Sequence, residues 1–230
     1  MAKRLVVFGA SNILSDVFDC AARLGVAPGK VVLHLPEPAD DRSIPLSRRV
    51  EQLAALGTTP VVETLDSFRP SEDELYLLGP TTPSRVNLAA EVQARFGLRF
   101  ASLVHPGATV SALAVLSPGC FVGAGSVIAP GAHLGEHVFV NRCASIGHDT
   151  QVGSFTRIQP GAHAASLSRI GRGVSIGIGA CLVDRLTVGD NTVIGAGSVV
   201  VGDLPGNVVA WGNPAEVRRA VDNPFFHDAG

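Results

Sequence analysis

Histidine side chains are the main candidates for acid–base chemistry in this sequence, because the pKa of imidazole lies near neutrality. The sequence contains seven of them: His34, His105, His133, His137, His148, His163 and His227. His148 is followed directly by Asp149, and a carboxylate beside a histidine can orient the ring and stabilise its protonated form. A surface histidine can equally do no more than cap a turn. The use of this pair therefore depends on where the fold places it.

The cysteines do not form a metal-binding or disulfide pattern. Cys20, Cys120, Cys143 and Cys181 are widely spaced and include no Cys-x-x-Cys pair. Neither a zinc cluster nor a disulfide framework is predicted, no metal is expected, and a reducing cytoplasm fits this cysteine usage.

A six-residue repeat determines the fold that we predict for the second half of the chain. One position in every six is aliphatic from Val104 to Ile194. The residues at this position are Val104, Val110, Leu116, Val122, Ile128, Leu134, Val140, Ile146, Val152, Ile158, Ala164, Ile170, Ile176, Leu182, Val188 and Ile194. Six is a multiple of the strand period of two and does not fit the helical period of 3.6. Each aliphatic residue and the small residue two positions before it are predicted to face inward, with a corner after each short strand. Repeated corners predict an all-β solenoid, a parallel β-helix.

The first hundred residues alternate strands with helices, which predicts a small parallel α/β domain. The predicted strands are 5–10, 30–35 and 74–78, and the predicted helices are 15–24, 46–56 and 85–96. The predicted domains are residues 1–102, the β-helix over 103–216 and a C-terminal tail over 217–230, which we expect to be a short helix.

Composition excludes several classes of protein. The formal net charge of -2 leaves no basic excess for binding nucleic acid, and the 46% of apolar residues is enough for a buried core. The apolar run near the N-terminus, 5–10, is too short for a signal peptide, and no segment is long enough to span a membrane. We therefore expect no membrane partner.

Hexads that follow a short Rossmann-like domain resemble the hexapeptide-repeat sugar O- and N-acetyltransferases of the sialic acid and bacillosamine pathways. The resemblance covers nearly the whole chain and is strongest over 141–161, over 194–200 and in the closing motif over 203–215. It implies a left-handed β-helix with three hexads per coil, a homotrimer, and acetyl-CoA bound in a groove between neighbouring copies. It also implies that a small-molecule acceptor, a sugar or a nucleotide-sugar, reaches the groove from the N-terminal domain.

The same resemblance assigns roles to particular residues. His148 matches the family's general base and Asp149 its acidic partner. Asn141 and Ser166 match supporting positions, and the backbone N–H at residue 166 would meet the acetyl carbonyl. The cofactor is expected to contact Arg157, Gly177, Gly179, Gly195 and Gly197, and the acceptor to contact Gly9, Ser11 and Asn12.

The chain also departs from the family pattern at the acceptor end. The first strand of the family usually runs into Gly-Ala-Ser-Gly-His-Gly, whereas here the run is Gly9-Ala10-Ser11-Asn12-Ile13-Leu14. Family members also often carry a histidine at the position of Arg157. Two alternatives therefore stay open beside a sugar acetyltransferase: an acyltransferase for a non-sugar acceptor, and a scaffolding β-helix without activity.

Overall fold

The computed structural model describes residues 3–35 and 44–226, which form an α/β part followed by a solenoid. His227 and the three residues after it lie outside the described residues. The strands of the α/β part are β1 (Arg4–Phe8), β2 (Ala27–Leu33), β3 (Val61–Thr64) and β4 (Glu74–Leu78). Its helices are α1 (Leu14–Arg23), α2 (Leu46–Leu53) and α3 (Arg85–Phe96), with a 3-10 turn over Ala54–Leu56 after α2.

The four strands form one parallel sheet in the order β3-β2-β1-β4. Three of the strands and all three helices occur where the sequence predicted them. Strand β3 was not predicted, because its residues are mostly exposed and lack the long apolar run of a buried strand. The chain crosses from β1 to β2 on one side and places β4 on the other side of β1. The crevice beyond the ends of β1 and β4 is therefore a switch point, where open α/β sheets bind ligands.

The solenoid consists of short parallel strands that follow one another every six residues. They are β5 (Leu103–Val104), β6 (Thr109–Val110), β7 (Val115–Leu116), β8 (Phe121–Val122), β9 (Val127–Ile128), β10 (His133–Leu134), β11 (Phe139–Val140), β12 (Ser145–Ile146), β13 (Gln151–Val152), β14 (Arg157–Ile158), β15 (His163–Ala164), β16 (Arg169–Ile170), β17 (Ser175–Ile176), β18 (Cys181–Leu182), β19 (Thr187–Val188), β20 (Val193–Ile194) and β21 (Val199–Val200). Paired residues are eighteen positions apart, as in Ser145 and His163. Three hexads per coil are thereby confirmed.

Every third strand belongs to the same sheet, so the solenoid has three faces. We call the face that contains β5, β8, β11, β14, β17 and β20 the first face. The second face contains β6, β9, β12, β15, β18 and β21, and the third face contains β7, β10, β13, β16 and β19. Corner A joins the first and second faces, corner B the second and third, and corner C the third and first. The aliphatic row and the small residues before it fill the interior, as predicted; Ala144 and Ile146 of one coil are both 1% exposed.

The corners share one backbone conformation. From Gly119 to Gly197, the third residue of each corner has a positive φ, which lets the chain turn from one face to the next. Asp149 occupies one of these positions with φ 56°, and aspartate tolerates this conformation better than most residues. The backbone N–H of Asp149 donates to the carbonyl of Pro130 in the coil below, at 3.0 Å. Stacked corners are therefore joined by hydrogen bonds.

The α/β part packs against the lower coils of the first face. Leu103, Phe121 and Phe139 of that face share one hydrophobic cluster with α1, β1 and β2. The guanidinium of Arg85, at the start of α3, donates to the carbonyls of Thr82 at 3.1 Å and Thr156 at 3.4 Å, and also to those of Thr81 and His137. Arg85 is 4% exposed. It therefore joins the loop after β4 to two adjacent coils of the solenoid.

The prediction of a helix from Val217 is wrong. The chain instead forms β22 (Val208–Gly212) and β23 (Ala215–Ala220), an antiparallel pair that extends the first face beyond β20. A solenoid that ended at β22 would expose an unpaired strand edge, and β23 covers it. Of the predicted tail, residues 227–230 lie outside the described part. None of the helices in the described residues has the length and apolar character needed to cross a membrane.

We expect the stability of the fold to depend on the protonation of His137. This corner residue is buried, and burial together with the charge of Arg85 lowers its pKa to about 4. An unfolded chain carries a histidine pKa of about 6.5, so it binds the proton first as the pH falls. The free energy of unfolding should therefore be at its full value above about pH 6.5. It should fall by on the order of 3 kcal/mol as the pH drops to about 4.

Urea unfolding at several pH values between these limits would measure this effect. His137→Asn keeps a residue that tolerates a positive φ, and it should flatten the pH dependence. His133→Asn alters an exposed histidine of the third face and serves as the matched control. The same pH dependence in wild type and His137→Asn would contradict the prediction.

Candidate active site

His148 and Asp149 form a close pair at corner B. Nδ1 of His148 lies 2.8 Å from Oδ2 of Asp149, and both side chains are more than half exposed. The positive φ of Asp149 turns the chain at this point. With Nδ1–H donating to the carboxylate, Nε2 carries the lone pair and can accept a proton.

Ser166 occupies the same corner one coil above His148. The N–H of Leu167 donates to the carbonyl of His148 at 2.9 Å, and the carbonyl of Ser166 accepts from Arg185 in the next coil. The Ser166 N–H has no acceptor among the described residues. A Cβ added to Gly147 would lie 2.5 Å from the Ser166 nitrogen, so only glycine allows these two coils to stack so closely. The structure thus brings an imidazole and an unused backbone donor together at one corner.

Asn141 lies at corner A and not beside His148 of the same chain. It is 8% exposed, its Oδ1 accepts from the N–H of Arg142 at 2.8 Å, and its Nδ2 lies 3.5 Å from Oε1 of Gln159. If Asn141 supports the site as predicted, it does so from corner A. Within one chain, the second face separates Asn141 from His148.

The four predicted cofactor glycines also lie at corner A, in the coils above Asn141. Gly179 and Gly197 have positive φ, and nothing lies within 4 Å of a Cβ built on either of them. Gly177 and Gly195 are different, because a Cβ there would meet Ala196 or Trp211 at less than 3 Å. Packing within the chain already explains these two glycines, whereas the other two leave an open backbone surface.

Arg157 lies on the first face, between corners A and C. Its Nε donates to Oγ of Ser175 at 3.0 Å, and burial lowers the pKa of its guanidinium. It forms no ion pair among the described residues. The pKa of Arg85 is lowered too, first by burial and then by the nearby positive charge of Arg157. The cation at position 157 is therefore fixed in place without a compensating carboxylate.

Gly9, Ser11 and Asn12 follow β1 at the switch point of the α/β sheet. Oγ of Ser11 donates to the carbonyl of Gly79 at 2.7 Å, and Oδ1 of Asn12 accepts from Arg49 at 2.8 Å. A Cβ on Gly79 would lie 1.9 Å from the carbonyl oxygen of Gly9, so the two loops touch. The predicted acceptor residues thus stand at a place suited to ligands, although Ser11 and Asn12 already make contacts within the chain.

Sequence reasoning missed a second pair that contains a histidine. Nδ1 of His163 lies 2.8 Å from Oγ of Ser145, on the outer surface of the second face. The two residues are eighteen apart, so the period of the coil could have revealed the contact. Within the described residues of one chain, no group of three His, Cys, Asp or Glu side chains could hold a metal ion.

Comparison with solved structures identifies close relatives. The acetyltransferase domain of PglB from Neisseria gonorrhoeae is 32% identical, with a TM-score of 0.78, and the match covers 94% of this chain and 100% of that domain. A structure of the same domain with acetyl coenzyme A matches at 31% identity, covering 95% of this chain and 100% of that one, also with a TM-score of 0.78. A mutant of perosamine N-acetyltransferase from Caulobacter crescentus, in complex with CoA and GDP-perosamine, is 25% identical with a TM-score of 0.81. That match covers 95% of this chain and 98% of the other.

Sequence comparison gives shorter matches. Serine acetyltransferase 3 of Arabidopsis thaliana is 35% identical over 147 residues, which is 64% of this chain and 34% of that protein. The chain thus spans about a third of the length of this plant relative. No family model matches the chain. The match to the whole PglB domain, together with the six-residue repeat, is sufficient for assignment: this chain belongs to the hexapeptide-repeat acetyltransferase family.

Proposed function

We propose that this chain transfers an acetyl group from acetyl-CoA to an amino or hydroxyl group of a sugar, with a nucleotide-linked amino sugar as the leading acceptor. The observation that carries the proposal is the His148–Asp149 pair at 2.8 Å, exposed at a corner below the unused N–H of Ser166. The structures that hold acetyl coenzyme A, or CoA with GDP-perosamine, support this choice of donor and acceptor.

Each group at corner B would serve one part of acyl transfer. Nε2 of His148 takes the proton from the acceptor nitrogen or oxygen as that atom attacks the thioester carbonyl carbon. Asp149 holds the ring through Nδ1–H and stabilises the imidazolium that forms. The Ser166 N–H donates to the developing oxyanion. Collapse of the tetrahedral intermediate breaks the C–S bond, and the imidazolium returns its proton to the CoA sulfur.

We further propose that the active unit is a homotrimer that forms through the second face. Arg142 is the only Asp, Glu, Lys or Arg on the outer row of this face and along corner A. Exposed aliphatic side chains are concentrated on the second face and its two corners: Leu113, Val127, Leu167, Ile178, Val183 and Val201. Exposed apolar surface of this kind favours association. A cyclic arrangement would place corner A of one copy beside corner B of the next.

This arrangement would unite residues that one chain keeps apart. Asn141, Gly177, Gly179, Gly195 and Gly197 of one copy would border the same cleft as His148 of its neighbour. The open backbone at Gly179 and Gly197 would accept the pantetheine arm. In this proposal, the guanidinium of Arg157 attracts a negatively charged part of the bound cofactor, and the loop Gly9–Asn12 holds the acceptor.

One observation favours a second candidate acceptor. Oδ1 of Asn12 is occupied by Arg49, and the turn lacks the glycines that let a backbone approach phosphates. A small non-sugar acceptor, such as the serine named for the plant relative, fits this altered loop as well.

A thiol-release assay with acetyl-CoA would test the proposal and separate the two candidates. The acceptors should be amino sugars linked to GDP, UDP and dTDP, the corresponding free amino sugars, and serine. Release that depends on an amino sugar, with a product heavier by one acetyl group, is the expected result. Release with serine alone would establish the second candidate. Absence of both acetyl-CoA binding and acceptor-dependent release would make the chain a scaffold.

A further inference from the structure

The outer row of the second face carries a polar segment that the proposed reaction does not use. From the lower to the upper coils its side chains are Thr109, Val127, Ser145, His163, Cys181 and Val199. Valines therefore lie directly below and above a Ser-His-Cys segment. His163 and Cys181 are both exposed in the single chain. This row lies midway between corners A and B.

The contact between Ser145 and His163 prepares the imidazole as a ligand. When Nδ1–H donates to Oγ of Ser145 at 2.8 Å, Nε2 is left with the free lone pair. Histidines that bind metals almost always donate their other ring N–H to an oxygen in this way, which fixes the tautomer and the orientation of the ring. Cys181 pairs with His163 on the adjacent strand, and strands in a sheet lie about 4.8 Å apart. A ring nitrogen and a sulfur of one chain can thus approach the same ion.

The uncharged second face would bury this segment between copies. In a parallel threefold arrangement each residue meets its own equivalents at the same height along the axis. Three imidazoles and three thiols would then converge between layers of valine. Polar groups buried at an interface require partners, and the described residues supply none for Nε2 of His163.

We propose that three copies of this chain bind one zinc-class metal ion on their common axis, through Nε2 of the three His163 side chains and the thiolate of one Cys181, which together make four ligands. The proposal rests on the homotrimer proposed above. Nitrogen and sulfur donors in a closed site are typical of structural zinc. One chain offers only two of the ligands, so the site is incomplete without the partner copies. Each cysteine that binds would release its proton to solvent, and the site would join the copies without taking part in acetyl transfer.

Metal titration of the purified, chelator-stripped protein would test the proposal. Zn²⁺ should bind with a stoichiometry of one ion per three chains. Co²⁺ should produce the thiolate-to-cobalt absorption band that reports sulfur coordination. His163→Gln and Cys181→Ser should each weaken Zn²⁺ binding at least about tenfold. His133→Gln and Cys143→Ser change an exposed histidine and an exposed cysteine outside this row, and they should leave binding unchanged.

Sedimentation equilibrium separates failure of this proposal from failure of the trimer. A chain that forms trimers but binds no Zn²⁺, or binds one ion per chain, would overturn the metal site alone. The metal site would also be overturned if the control variants lost as much Zn²⁺ affinity as His163→Gln and Cys181→Ser. A chain that stays monomeric would overturn both the metal site and the trimer. The proposed acetyl transfer would still be tested separately by the thiol-release assay.

Discussion

Replacing His148 with alanine is expected to lower kcat/KM for acetyl transfer by about 10²- to 10⁴-fold, the usual contribution of a positioned general base. The imidazole is the group at corner B whose free ring nitrogen can take the proton from the acceptor. The side chain is exposed, so its removal creates no cavity and should leave stability unchanged. Acetyl-CoA affinity should also stay the same, and the loss should appear in kcat.

Two further variants make this result specific. His133→Ala removes an exposed histidine of the third face and should keep full activity. Asp149→Asn retains a residue that accepts the positive φ of this corner, but it removes the negative charge that stabilises the imidazolium. It should lower kcat by less than His148→Ala does. Equal activity in wild type and His148→Ala would remove His148 from the mechanism.

Replacing Arg85 with methionine is expected to destabilise the protein by about 2–4 kcal/mol. The guanidinium is almost fully buried and donates to four carbonyls, two in the loop after β4 and two in the solenoid. Methionine fills part of the space but donates nothing, so these buried carbonyls would lose their donor. Chemical unfolding monitored by circular dichroism would give the difference in the free energy of unfolding.

Arg99→Met is the matched control for this prediction. Arg99 is exposed, and its replacement should change stability by less than about 0.5 kcal/mol. A similarly small effect of Arg85→Met would show that the contacts of the guanidinium only balance the cost of burying its charge. The junction between the α/β part and the solenoid would then depend on the apolar contacts of Phe121 and Phe139.

The sequence predicted the solenoid well because its period is enforced by packing at every coil. An aliphatic residue at each sixth position, such as Ile146 or Ile158, can be buried only in one register. The end of the solenoid was predicted wrongly, because β23 forms to cover an open strand edge and carries no buried residue of its own. Edge pairing is a tertiary effect that local patterns do not record.

The candidate site was predictable only in part, for a similar reason. Neighbours in sequence, such as His148 and Asp149, were recognised and do lie in contact. Contacts across coils, such as that between Ser145 and His163, need the eighteen-residue register, which sequence reasoning applied only to Ser166. Asn141 and His148 lie at different corners, so their cooperation depends on a second copy and cannot be read from one chain.

The uninterrupted register also constrains how such a gene can change in length. Among β5 to β21, paired residues are eighteen positions apart. A duplication or deletion of eighteen codons there would therefore add or remove one coil, about 4.8 Å in height. Every later side chain would keep its face. An insertion of six codons would rotate all later residues by one face, and the corner glycines would no longer stand in line with Asn141. The solenoid can therefore change in length during evolution only by whole coils. Insertions of other lengths would move residues to different faces and disrupt the surfaces on which assembly and cofactor binding depend.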